Sequence, residues 1–192
     1  VTAAQTMAEL EDIYLPYRPK RRTRATIAKE KGLEPLAARL WGQQQFEVKR
    51  AAAEYLDANT GTVNGVSDIT EALSGARDII AEWISEDTVA RREIRRLFWS
   101  QGTFSSLVVP GKRENAGKFQ DYFDWQEPVL KVPSHRVLAM LRGEKESMLS
   151  VHISPPTAQA IAVLQRIFVT GDTEASHEVS RAVQDRYKPL LG

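Results

Sequence analysis

The sequence has 192 residues, 42% of them hydrophobic and 27% charged, with a net charge of +1. That is the composition of a soluble globular chain long enough for one large domain or two small packed units. It contains no cysteine, which excludes a disulfide framework and thiolate chemistry and is consistent with a reducing compartment. Its longest apolar runs, such as AIAVL at 160–164, are too short to span a membrane, and the amphipathic start VTAAQTMAEL has no apolar signal core. A chain that opens on Val1 rather than Met is expected to be an excised piece of a longer protein.

Taken in chain order, Ala3, Met7, Leu10, Ile13 and Tyr14 recur at helical spacing, predicting a helix over 2–14 that Pro16 and Pro19 end. Thr23 is placed to cap a second helix over 24–31, with Gly32 as its stop. A third helix fits 34–41 and a fourth 46–58, closing at NTG. VNGVSD at 63–68 reads as a turn, and Asp68 with Glu71 as a capping pair. Ile69, Ala72, Leu73, Ala76, Ile79, Ile80, Trp83 and Ile84 then form the clearest helical stripe in the chain. SED at 85–87 breaks it, and another helix runs to about Gln101 before Gly102.

The pattern changes at TFSSLVV, 103–109, which is β-rich and leads to a Pro110–Gly111 turn. ENAGKFQDYFDWQEPVLKVP is aromatic and turn-laden without a clean period. A helix fits 134–142 with Ser134 as cap, SMLSVHI at 147–153 alternates like a strand, and two helices close the chain over 156–169 and 174–190. The expected fold is therefore mainly α, a multi-helix, helix-turn-helix-like region with a small β element around residues 103–153. Its expected divisions are 1–102, 103–153 and 154–192.

Charge is unevenly spread. Between residues 18 and 31, seven cations (Arg18, Lys20, Arg21, Arg22, Arg24, Lys29, Lys31) face only Glu30, a local charge of +6 against a remainder of −5. Such an island steers anionic partners. Tyr14 and Tyr17 are interleaved with it, offering rings for base stacking, and it precedes a helix start whose free amides favour phosphate. The plainer alternative is a solvated surface run. RREIRR at 91–96 sets Arg91 beside Arg95 and Arg92 beside Arg96, and pairing with Glu86, Asp87 and Glu93 accounts for it.

Asp121, Asp124 and Glu127 gather oxygen ligands, but bulky aromatics separate them and no Gly-punctuated calcium loop surrounds them, so a structural role is favoured. His135, His152 and His177 are scattered outside any metal or nucleophile motif. GKRENAGK at 111–118 lacks the spacing of a phosphate loop. No enzyme, cofactor or metal site is expected.

LEDIYLPYRPKRRTRATIAKEKGLEPLA, GARDIIAEWISED, LFWSQG and GKFQDYFDWQEPVLKVPSHRVLAMLRGEKE together resemble the bacterial Tex family of transcription accessory proteins. The likeness is specific at 10–37, 75–87 and 115–146. It implies a piece of the N-terminal helical region of a cytoplasmic, multidomain protein that binds nucleic acid and influences transcription. An RNase H-like domain, a helix-hairpin-helix module and a C-terminal OB-fold are implied elsewhere in such a protein. It supplies no catalytic residue. The resulting expectation is RNA or DNA binding, with Tyr17, Arg18, Lys20, Arg21, Arg22, Thr23, Arg24, Lys29 and Lys31 on the phosphate backbone. The alternative is a non-catalytic scaffold that positions the other Tex domains or docks a partner in the transcription machinery.

Overall fold

The computed structural model describes residues 22–56 and 65–186. The helix expected over 2–14, the prolines that end it and the NTG stop at 59–61 lie outside those residues. The described part is mainly α, with one small antiparallel sheet. It forms two compact units, one drawn from residues before 92 and after 160, the other from Arg92–Ala160.

The first unit holds α1 (Arg24–Glu30), α2 (Glu34–Trp41), α3 (Val48–Ala53) and α4 (Ile69–Glu86). It also holds the start of α5 (Thr88–Gln101), the end of α7 (Thr157–Phe168) and α8 (Glu174–Arg186). The α4 helix is its axis, with α1, α2, α3 and α8 packed around it. The predicted stripe supplies the buried side: Ala72, Ala76, Ile79, Ile80 and Ile84 are each at most 1% exposed. Leu33, Leu36 and Leu40 meet them from α2 and its lead-in, and Ala175, Val179, Ala182 and Val183 from α8. A Cβ on Gly75 would sit 2.5 Å from Leu33 Cδ1 and 3.2 Å from Ala28 Cβ, so the missing side chain sets how closely α1 approaches α4.

The caps expected at Thr23 and Asp68 hold, and Asp87 adds one that was not expected. Thr23 and Thr26 form a reciprocal capping box, and Gly32 ends the first helix at φ 76°. Asp68 Oδ1 accepts the Glu71 amide at 2.8 Å. Asp87 serves two helices: its amide donates to the Trp83 carbonyl of α4, and its carboxylate accepts the Ala90 amide of α5 at 2.7 Å. One residue thus makes the break predicted at 85–87.

The second unit is a sheet in the order β2–β1–β3, formed by β1 (Thr103–Val108), β2 (Asp124–Pro128) and β3 (Leu149–Ser154). A helix, α6 (Ser134–Lys145), and a 3-10 turn (Gly117–Tyr122) cover it. Phe104 lies opposite Glu127 on one side and Ile153 on the other. The shared face carries Phe104, Trp125, Val151 and Leu149 into a core completed by Phe119 and Met140.

Several sequence expectations need correction. The aromatic segment 114–133 contains a strand: Asp124–Pro128 alternates exposed and half-buried, but five residues give too short a period to stand out. Ser134 does not cap α6; Pro133 holds that position without a side-chain bond, and the helix continues to Lys145. The fourth helix is only Val48–Ala53. The last strand begins at Leu149, because Ser147 at φ 59° closes the turn after α6.

Candidate nucleic-acid interface

The basic segment is described only from Arg22 onward; Tyr17, Arg18, Lys20 and Arg21 lie outside the described residues. Arg22 donates to Glu30 at 2.7 Å across the open side of α1, and both side chains are exposed. The Thr23 hydroxyl accepts the Thr26 amide at 3.1 Å, and the Thr23 amide donates to Thr26 Oγ1. The capping box therefore occupies the Thr23 hydroxyl and the amides of Thr23 and Thr26. Arg24 is exposed, has no partner among the described residues and borders a polar hollow lined by Ser74, Arg77, Asp78 and Asp185.

Lys29 and Lys31 turn the other way. Lys29 Nζ donates to Glu82 Oε2 of α4 at 2.5 Å. Lys31 Nζ donates to Glu71 Oε1 at 2.5 Å and to the Gly65 carbonyl at 3.0 Å. Glu71 also accepts the Ser67 amide and hydroxyl, at 2.8 and 2.6 Å. Lys31 first, then Ser67, holds its carboxyl at about 2, well below the ordinary 4.5. A lysine already bonded to a carboxylate offers a phosphate little net charge, and exchanging one charge-assisted bond for another gains little.

RREIRR divides by face. Arg91 and Arg95 are half-buried and engaged within the fold. Arg92 and Arg96 are exposed; Arg92 has only its neighbour Glu93, at 3.6 Å, and Arg96 has no partner among the described residues. Pairing thus accounts for only part of this run.

The acidic trio does not converge. Asp124 and Glu127 are three residues apart on β2, so the pleat sends them to opposite faces, and Glu127 faces Arg136 at 3.4 Å. Among the described residues no three His, Asp or Glu side chains gather closely enough to hold a metal ion. His152 bonds Ser150 Oγ at 2.9 Å and His177 bonds Asp172 at 2.7 Å, both on the surface; His135 is exposed.

Residues 43–188 match the family model described as Tex central region-like. The chain belongs to the Tex family. Three relatives agree with this. Protein YhgF of Escherichia coli is 46% identical over 154 residues, 80% of this chain and 19% of that protein. Protein tex of Bordetella pertussis is 41% identical over 153 residues, with the same shares. Transcriptional accessory protein Tex of Neisseria gonorrhoeae is 44% identical over 151 residues, 79% of this chain and 19% of that protein. The chain spans about a fifth of the length of these curated relatives. The resemblance read from the sequence placed the piece in the N-terminal helical region; the matching Tex model is described as central. Among the described residues, no helix is long and apolar enough to cross a membrane.

Proposed function

We propose that this chain is a non-catalytic helical platform within a Tex-like transcription accessory protein. Lys29 and Lys31 serve there as clasps that fix α1 to α4 rather than as phosphate contacts. The observation that supports this reading is the destination of the two lysines: both reach carboxylates of α4, 53 and 40 residues away in sequence. The name of the Neisseria gonorrhoeae relative, transcriptional accessory protein Tex, supports placing such a platform in a protein that acts in transcription.

A second reading keeps the phosphate contact in the basic segment and assigns it to Arg22 and Arg24. It is favoured by their exposure and by the absence of any described partner for Arg24. Fluorescence anisotropy with labelled single-stranded RNA and DNA separates the two. On the platform reading, Lys29→Gln with Lys31→Gln lowers the unfolding midpoint and leaves affinity and its salt dependence unchanged. A loss of affinity at an unchanged midpoint overturns it. Arg22→Glu with Arg24→Glu tests the second reading, which requires a weaker, flatter salt dependence.

A further inference from the structure

Trp99 is the exposed member of the chain's four tryptophans. It is 66% exposed, whereas Trp41, Trp83 and Trp125 are half-buried and meet other rings edge to face. Among the described residues, Trp99 makes no ring, cation or hydrogen-bond contact. Burying an indole typically yields a few kcal/mol, so a bare one on a regular helix is unusual. On α5 it follows Arg92 and Arg96 at the i, i+4, i+7 spacing of one face, and both arginines are exposed, Arg92 at 69%. The stripe rises about 10 Å, enough for one or two nucleotides.

We infer that the Arg92–Arg96–Trp99 face of α5 is a stacking platform for single-stranded nucleic acid, separate from the basic segment and independent of the platform reading above. The Trp99 indole stacks on a base, while the two guanidinium groups meet adjacent phosphates. The surroundings favour this over a protein partner. Protein hot spots sit among apolar neighbours, whereas the exposed residues within a turn of Trp99 are Arg96, Ser100 and Gln101, and the other exposed apolar side chain of α5, Val89, lies ten residues back. The charge also agrees: residues 92–160 carry ten basic and seven acidic side chains, whereas the whole chain is only +1. A stacked base accounts for the flat exposed ring, and its phosphates for Arg96, which has no partner among the described residues, and for Arg92, which has only Glu93 at 3.6 Å.

The test uses the 192-residue chain, titrated with fluorescein-labelled oligo-uridine and oligo-thymidine, with polyglutamate as the acidic-polymer arm. Binding is read by anisotropy and by tryptophan emission, which Trp99 dominates in accessibility. The platform predicts binding of at least one single strand with quenching. It predicts an affinity lowered about ten-fold or more in Trp99→Ala. In Arg92→Gln with Arg96→Gln the salt slope should shrink by about 1.4. Unfolding midpoints should hold in both variants, since Trp99 and Arg96 are exposed and Arg92 pairs only with its chain neighbour Glu93. RNA and DNA arms of equal strength mean the face reads base and phosphate; a stronger RNA arm means the 2′-hydroxyl contributes as well. Either supports the platform. No binding of either strand near 0.1 M salt, or an affinity unchanged in Trp99→Ala, overturns it. So does Trp99-dependent capture of polyglutamate matching that of the oligonucleotides, which would make the face an acidic-protein site.

Discussion

Glu71 concentrates three roles in one carboxylate: it accepts Lys31, closes the Ser67 turn and lies in the first turn of α4. Its folded pKa of about 2 is below the ordinary 4.5, so the unfolded chain binds the proton more readily between those values. The contribution is fully present above about pH 4.5 and is lost as pH falls toward 2. Glu71→Gln should flatten the acid limb of a stability profile over that window and lower the plateau at pH 7, as read by urea unfolding across a pH series. An acid limb as steep as that of the unmodified chain would remove Glu71 from this role. Ser106 is the opposite case. Its hydroxyl is fully buried in β1 and has no hydrogen-bond partner. Burying an unpaired hydroxyl costs free energy, so Ser106→Ala should raise stability by about 1 kcal/mol.

At the scale of elements, the α1–α4 contact depends on a missing side chain. Gly75→Ala would press a methyl group against Leu33 and Ala28, both buried, where neither can retreat to solvent. Overpacking of this kind costs about 1–3 kcal/mol, and thermal unfolding should show it without loss of helix content. The α4 stripe was legible in the sequence because its apolar residues, Ile69 to Ile84, repeat at one period along an eighteen-residue helix. Thr23 and Asp68 were legible because capping is local chemistry. The second strand was not, since Asp-Trp-Gln-Glu-Pro alternates over too few residues to separate from a turn. The partners of Lys29 and Lys31 were hidden for another reason. Glu82 and Glu71 become neighbours only when α4 folds back on α1, and no local rule encodes that return. The Arg92, Arg96 and Trp99 spacing was readable, but only exposure separates it from a packed face.

For the whole molecule, the family is shown by a match over residues 43–188, while the chain spans about a fifth of its relatives. The local charge of +6 marked the basic segment as an anion site, yet each of the three described cations whose bonds are known ends on a carboxylate. Net charge along a sequence therefore overstates the field available to a partner, because folding neutralises cations in pairs. The lysine pairs and the α5 stripe share no residue, so their effects should be separable. Lys29→Gln with Lys31→Gln should move stability and spare binding. Trp99→Ala should do the reverse, and the combined variant should show the sum.

The most direct measurement is a double-mutant cycle of Lys29→Ala and Glu82→Ala, read by urea unfolding at neutral pH. If Lys29 is a clasp within the fold, the cycle should return a coupling above about 1 kcal/mol, larger than that of an exposed ion pair. A coupling indistinguishable from zero, with full stability in Lys29→Ala, would show that the lysine is free for an external anion and would contradict the account.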